Sequence, residues 1–184
     1  MTERPTLTTS RLVLRPFVAA DASAVQTLAG EKEIAAMTVN IPHPYERAAA
    51  KKWIAGQSAA FARDEHVVFA TTERRDGTLV GAMGLELTLA HARAELGYWI
   101  GKPFWNKGYA TEAASAVLRY GFEERSLNRI QATVFVDNAA STRVLTKIGM
   151  RHEGLLRQHF KKWGRYMDVE AYAILRDEYR RGGS

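Results

Sequence analysis

The run WNKGYA, from Trp105 to Ala110, places a lysine and a glycine directly before a stretch with helical periodicity. The first N–H groups of a helix lack partners and lie at the positive end of its dipole, so they attract anions. Glycine at 108 and a small residue at 110 let a phosphate approach the backbone closely. The run is therefore compatible with a phosphate site, but the local pattern alone favours the simpler interpretation of a capped turn.

Two polar side chains open another predicted helix, over 138–148. Asn138 is suited to cap it, and Ser141 then falls in its first turn, where a hydroxyl can face the strand edge just left behind. Both side chains could instead serve only the N–H groups of their own helix. The pattern leaves these two interpretations open.

Several common chemistries are excluded. The chain has no cysteine, and its five histidines show no ligand spacing, so we expect no metal site. Neither GxxxxGK[ST] nor GxGxxG occurs, so the glycine run is neither a Walker loop nor a dinucleotide fingerprint.

The composition predicts one soluble domain over 1–184, with its core at about 9–178. The N-terminal run lacks an apolar signal region and no stretch is long enough to cross a membrane, so we expect a cytoplasmic protein. The net charge of +6 favours anionic partners. The densest basic segment, which includes no acidic residue over 154–167, is interpreted as a hairpin, and the run 180–184 as a flexible end.

Apolar periodicity and turn residues predict an α/β order with a mixed sheet. Helices are expected after an Asp21 cap to Gly30, from Pro44 to about Phe61, for roughly 15 residues after the glycine run, and over 138–148. The predicted strands are 11–17, 66–73, 78–90, 92–100, 129–136, about 150–160 and 166–175. The crossover from 92–100 to 129–136 should make those two strands parallel.

Nearly the whole chain resembles the GNAT superfamily of acyl-CoA-dependent N-acyltransferases, and in particular its RimJ/RimL-type branch. The resemblance is carried by TSRLVLRPF, GAMGL, AELGYWI, FWNKGYATEA, VDNAASTRVLTKIGM, EGLLRQHF and LRDEY, in that order. The superfamily's phosphate loop is usually written [QR]xxGx[GA]. Here Trp105 takes the polar entry position, a substitution common in this branch.

The resemblance implies a single-domain twisted mixed sheet of about seven strands with splayed central parallel strands and about four helices. It places acetyl-CoA in the cleft between 92–100 and 129–136. The cofactor-binding residues that it implies are Tyr98, Trp99, Ile100, Asn106, Lys107, Gly108, Tyr109, Ala110, Thr111, Asn138 and Ser141. The acceptor side would come from 31–65 and 155–166.

Acetyl transfer to an amine requires a deprotonated amine, a donor for the developing oxyanion and help for the leaving thiolate. A backbone N–H of strand 92–100 could be the oxyanion donor, and Ser141 is by family analogy the hydroxyl for the thiolate. Glu95 is the first candidate for the base, with Glu86, His159 or a water as alternatives. Glu112, in the first turn of its helix, is interpreted as a dipole partner.

We therefore expect an enzyme that acetylates a protein N-terminus or a small amine, as a monomer or homodimer. A non-catalytic CoA-binding or sensing module is the first alternative. It would need the phosphate loop but neither Ser141 nor a carboxylate in the cleft. A basic nucleic-acid-binding domain is the second, and the dispersed aromatic residues argue against it. No nucleic acid and no membrane partner are expected.

Overall fold

The computed structural model describes residues 3–182. The prediction of a flexible end at 180–184 is wrong for residues 180–182, which end a helix, and the last two residues lie outside the described range. Within this range the chain forms eight strands and six helices. The strands are β1 (Leu7–Thr8), β2 (Leu12–Arg15), β3 (His66–Glu73), β4 (Leu79–Thr88), β5 (Arg93–Ile100), β6 (Arg129–Phe135), β7 (Arg151–Lys162) and β8 (Arg165–Leu175). The helices are α1 (Ala22–Ala29), α2 (Lys32–Ala36), α3 (Arg47–Ala62), α4 (Tyr109–Arg119), α5 (Ala139–Lys147) and α6 (Arg176–Gly182).

All eight strands join one sheet in the order β1-β2-β3-β4-β5-β6-β8-β7. Neighbouring strands are antiparallel, except for β5 and β6, which are parallel. The predicted mixed α/β sheet is therefore confirmed, including the parallel crossover through α4. Sequence patterns missed the strand β1, which has two residues, and the helices α2 and α6, which have five and seven. Elements this short give little periodic signal.

Helices cover both faces of the sheet, because alternate residues of the central strands are apolar on each side. On one face α4 and α5 pack through Ala113, Val117 and Leu145, each almost fully buried. On the other face α1, α2 and α3 pack around Trp99 of β5. The small alanines of α4 let that helix lie close to the strands that carry the central cleft.

The Asp21 side chain does not cap α1 as predicted. Its carboxylate instead accepts two hydrogen bonds of 2.8 Å from Arg15 and one of 2.9 Å from the Val18 N–H. Burial alone would raise the pKa of Asp21, but these partners hold it below its ordinary value. The sequence pattern correctly placed Asp21 at a helix start but not its partners. The hydrogen bonds of its carboxylate connect Arg15 of β2 to the turn that follows the strand.

Candidate active site

The central parallel strands separate soon after they meet. Their register pairs run only from Arg93↔Arg129 to Glu95↔Gln131, although β5 stays paired with β4 as far as Ile100. Beyond Glu95, the β6-facing edge of β5 therefore borders an open V-shaped cleft in the middle of the sheet. This is the splay that was expected from the resemblance.

Alternation of ladder bonds decides which residues of β5 present backbone groups to this cleft. The Gly101 N–H donates to the Val80 carbonyl of β4 at 2.8 Å, so the even-numbered residues before it direct their N–H and C=O groups away from β4. The Ile100 carbonyl accepts a 2.6 Å hydrogen bond from the indole N–H of Trp105. Tyr98 is thus the residue whose backbone groups face the open edge, whereas Trp99 bonds to β4 and its ring lies in the α1–α3 core.

The glycine run folds as a tight turn into α4. Asn106 and Gly108 have φ values of 61° and 79°, and Gly108 occupies the position before the helix. The first intrahelical bond runs from the Glu112 N–H to the Gly108 carbonyl. No side chain caps this helix, so the N–H groups of Tyr109, Ala110 and Thr111 lack intrahelical partners. A side-chain-capped turn, the alternative interpretation, is therefore not what the chain builds, and the side chains of Asn106 and Lys107 are exposed beside the turn.

The segment Thr9–Arg11 clamps the start of α4. One carboxylate oxygen of Glu112 accepts hydrogen bonds from the Thr9 hydroxyl at 2.7 Å, the Ser10 hydroxyl at 3.0 Å and the Arg11 N–H at 2.8 Å. The other accepts from the Arg11 guanidinium at 2.7 Å, and the same guanidinium donates to the Lys107 carbonyl at 2.9 Å. Burial acts to raise the pKa of Glu112, but these donors lower it to about 2. Glu112 thus fixes the turn as well as opposing the dipole.

Two hydroxyl groups meet where α5 begins. The Asn138 side chain accepts a 3.1 Å hydrogen bond from the Ser141 N–H, so Asn138 caps α5. The Ser141 hydroxyl lies 2.6 Å from the Tyr98 hydroxyl across the cleft. Burial raises the pKa of Tyr98 to about 12, partly offset by the Ser141 hydrogen bond, so the phenol keeps its proton at neutral pH. Sequence reasoning placed Tyr98 here only for its backbone and missed its hydroxyl.

Glu95 lies at the last register pair before the strands separate, on the face opposite Tyr98. Its carboxylate accepts a 2.9 Å hydrogen bond from the Thr133 hydroxyl and a longer contact of 3.5 Å from the Gln131 amide. It lines a cavity of about 270 Å³ whose other wall comes from β7 and β8. The remaining residues that line this cavity are Arg129, Gln131, Ala132, Thr133, Leu156, His159, Phe160, Ala171 and Tyr172.

The structure separates the three candidates for a base. Glu86 lies directly opposite Glu95 in the β4–β5 ladder and is exposed. His159, on β7, lines the same cavity as Glu95, with its ring against Phe160 at 4.6 Å. Of the three, only Glu95 both lines the cavity and lies at the point where the central strands separate.

Comparison with known proteins agrees with this geometry. The acetyltransferase (GNAT) domain profile matches residues 11–151. The N-acetyltransferase YoaA of Bacillus subtilis is 34% identical over 173 residues, which cover 94% of this chain and 97% of YoaA. A GNAT-family acetyltransferase structure from Bacillus anthracis has a TM-score of 0.84 at 28% identity, covering 94% of this chain and 99% of its own. RimL, solved with CoA, has a TM-score of 0.85 at 18% identity, and the match covers 93% of this chain and 98% of RimL. At that identity the likeness concerns the fold alone.

The chain belongs to the GNAT acetyltransferase family and resembles its RimJ/RimL-type members. It is an acetyl-CoA-dependent N-acetyltransferase. None of the described helices is long and apolar enough to cross a membrane. Over residues 3–182, no group of three or more histidine, aspartate or glutamate side chains is placed to hold a metal ion.

A matched pair of glycines tests the phosphate loop. Gly108 and Gly77 share a left-handed backbone, with φ of 79° and 75°, but an added Cβ at Gly108 lies 3.3 Å from the Arg11 guanidinium, whereas at Gly77 it meets nothing within 4 Å. Both Gly→Ala changes should cost about 1–2 kcal/mol of backbone strain. We expect only Gly108→Ala to weaken CoA binding, by about tenfold or more, in calorimetric titrations. Unchanged CoA affinity in Gly108→Ala would assign the loop to a simple turn.

The low pKa of Glu112 makes a pH prediction. Its pKa is about 2 in the folded protein against 4.5 ordinarily, so its contribution to stability is complete above about pH 4.5 and is lost as the pH falls toward 2. Solvent screening at the half-exposed Arg11 reduces this contribution to about 1 kcal/mol. Urea unfolding of Glu112→Gln and wild type should therefore differ at neutral pH and converge near pH 2. Glu65→Gln is the control: the pKa of Glu65 is also lowered, by Arg63, but solvent screens this exposed pair, so the variant should stay close to wild type at every pH. A constant difference at every pH would contradict the prediction.

Proposed function

We propose that this enzyme acetylates a primary amine, either a protein N-terminal α-amino group or a small-molecule amine, by direct attack in a ternary complex with acetyl-CoA. The observation that carries the proposal is the arrangement at the cleft. Paired hydroxyl groups lie on one face of the parting strands, and a carboxylate lies on the other beside a cavity. A donor and an acceptor substrate can therefore reach one point from opposite sides of the sheet.

We infer that the CoA pyrophosphate binds the loop before α4 and that the pantetheine arm follows the open edge of β5. The free N–H groups of Tyr109, Ala110 and Thr111 suit an anion, and the exposed Lys107 adds charge. The backbone of Tyr98 offers the arm both a donor and an acceptor. On this proposal Asn138 contacts the arm near its thiol end, beside Ser141.

The chemistry requires one new bond, one broken bond and two proton movements. The amine nitrogen bonds to the thioester carbon, the carbon–sulfur bond breaks, and CoA leaves as a thiolate. We infer that Glu95 takes a proton from the amine, directly or through a water, because an α-amino group titrates near ~7.7–8.0 and is largely charged at neutral pH. The nitrogen loses its second proton as the carbon–sulfur bond breaks, and we infer that this proton reaches the thiolate through the Ser141 hydroxyl, which gives up one proton and regains another. CoA is thereby released as the thiol, and the protonated Tyr98 supports Ser141 through their hydrogen bond.

The cavity favours an amine carried on a slender group. Its volume of about 270 Å³ is small, and Leu156 and Phe160 give it an apolar wall. Arg129, which also lines it, already holds Glu153 through both terminal nitrogens, so it is not a free cation for an acceptor carboxylate. Relatives differ in their acceptors: RimL acts on ribosomal L7/L12, whereas AaaT of Escherichia coli, 26% identical over 168 residues, acts on L-amino acids.

Thiol release from acetyl-CoA, measured against a panel of small amines and short peptides, tests the function and the base together. We expect Glu95→Gln to lower kcat by about 10- to 1000-fold near pH 7. Activity should recover at high pH, because the amine then deprotonates without help. Glu86→Gln is the comparison and should retain kcat within a few-fold. A larger loss in Glu86→Gln than in Glu95→Gln would assign the base to Glu86, and no turnover of any amine by the wild type would contradict the proposed function.

Ser141→Ala tests assistance to the leaving group. If Ser141 acts on the departing thiolate, its contribution arises in the transition state, so kcat should fall about 10- to 1000-fold with little change in acetyl-CoA affinity. Tyr98→Phe should lower kcat in the same direction but by less. Thr146→Ala removes an exposed hydroxyl from the same helix and serves as the control. Single-turnover rates at the wild-type level in Ser141→Ala would leave positioning alone to account for the rate.

A further inference from the structure

Lys162, near the tip of the β7–β8 hairpin, is a buried lysine that does not take part in the proposed chemistry. It is 9% exposed, and across the described residues no carboxylate forms an ion pair with it. Its ammonium group donates to the Val39 carbonyl at 3.1 Å and to the Ile41 carbonyl at 2.8 Å. Burial lowers the pKa of this amine. Its third partner is the Trp163 ring, whose centre lies 5.3 Å from the ammonium nitrogen. Burying a cation without a carboxylate partner is costly, so the surrounding fold must compensate for this lysine.

The two carbonyls belong to the α2–α3 segment (residues 37–46), which has no regular secondary structure of its own over most of its length. Lys162 is therefore a direct link between this segment and the end of β7. A second contact lies alongside it, where the rings of His43 and Trp163 approach to 6.4 Å between centroids. The link joins parts of the chain 121 to 123 residues apart in sequence.

The same strand supplies the β7 wall of the cavity beside Glu95. After an irregularity between Leu156 and Phe160, β7 pairs regularly again, from Phe160↔Met167 to Lys162↔Arg165. Phe160 and Lys162 are two residues apart in this regular stretch, so they lie on the same face of the strand. Lys161 lies on the other face, exposed, with its ammonium 5.5 Å from the Tyr166 ring centre.

The break in the β7–β8 ladder between Leu156 and Phe160 explains why the cavity wall formed by β7 needs the Lys162 hydrogen bonds. Residues 157–159 bulge out of the ladder, and Gln158 has a φ of 53° and donates its N–H to the Asp168 carboxylate at 2.7 Å. His159 therefore lies in a part of β7 that ladder bonds do not fix, and Leu156 and Phe160 are the paired residues on either side of it. The Lys162 bonds to the α2–α3 segment fix the far end of this stretch.

We propose that Lys162 is a positioning residue for the acceptor amine: by tying β7 to the α2–α3 segment, it holds the cavity wall that faces Glu95. This inference rests on the proposed function, because the cavity is taken as the acceptor site. On this proposal Lys162 touches neither substrate. Its effect should therefore appear in the Michaelis constant of the amine and not in that of acetyl-CoA.

Lys162→Met keeps the length and the burial of the side chain but removes its donors, and Lys161→Met is the matched control on the opposite face. With the peptide Ser-Ala-Ala-Ala, or a panel amine that turns over faster, we expect Lys162→Met to raise the amine KM at least fivefold. The KM for acetyl-CoA should stay within twofold of wild type. Lys162→Arg, which retains donors, should recover part of the loss, and Lys161→Met should match the wild type.

Hydrogen exchange of the α2–α3 segment supplies a measurement that does not depend on turnover. We expect faster exchange over 37–46 in Lys162→Met than in Lys161→Met, with unchanged exchange in α4. Equal exchange and equal amine KM in the two variants would overturn the inference, and so would an equal rise in both Michaelis constants. If Lys162→Met does not fold, the shorter Lys162→Gln decides by the same criteria. Absence of wild-type turnover would contradict the proposed function instead, and the exchange result would still decide whether Lys162 holds the segment.

Discussion

The early separation of β5 and β6 is the constraint on which the rest of the structure depends. Buried backbone N–H and C=O groups need partners, and a parallel pair that ends after Glu95↔Gln131 leaves such groups unpaired in the middle of a sheet. One of them, the Ile100 carbonyl, is satisfied from within the chain by the Trp105 indole. The others, around Tyr98, border the cleft, and an extended ligand such as a pantetheine arm can complete the ladder there. The gap is stable because helices close both faces of the sheet around it.

The two helices that start beside this gap contribute different chemistry through their first turns. α4 begins after a left-handed glycine and has no side-chain cap, so its N–H groups stay available to an anion. α5 begins at Asn138, which caps the helix itself, and so its first turn presents the Ser141 hydroxyl to Tyr98 rather than bare N–H groups. The same local motif, a helix start after a β-strand, thus leaves N–H groups uncapped in one place and orients a hydroxyl in the other.

Two acidic residues of this basic protein hold the turn before α4. Glu112 joins the Thr9–Arg11 segment to this turn through hydrogen bonds, and Glu73 accepts a 2.5 Å hydrogen bond from the Tyr109 hydroxyl beside it. Fixing the turn before a ligand arrives reduces the entropy that binding would otherwise lose. On the proposed acceptor side, Thr133 donates a hydrogen bond to Glu95, and we propose that Lys162 secures the opposite wall of the cavity. Both substrates would therefore meet surfaces whose shape is set by neighbouring parts of the fold.

The sequence by itself determined the order of the long elements, the mixed sheet, the glycine turn and the Asn138 cap. Each of these depends on residues within a few positions of one another, through periodicity, backbone preference or capping. The tertiary structure alone decided which distant groups meet: Glu112 with Thr9, Tyr98 with Ser141, and Lys162 with Ile41. Those contacts span 43 to 121 residues and depend on strand register and on where loops cross, which no local pattern encodes. Asp21 shows how far local patterns can be trusted. Its position before a helix predicted a cap, whereas the preceding strand supplies Arg15 as its actual partner.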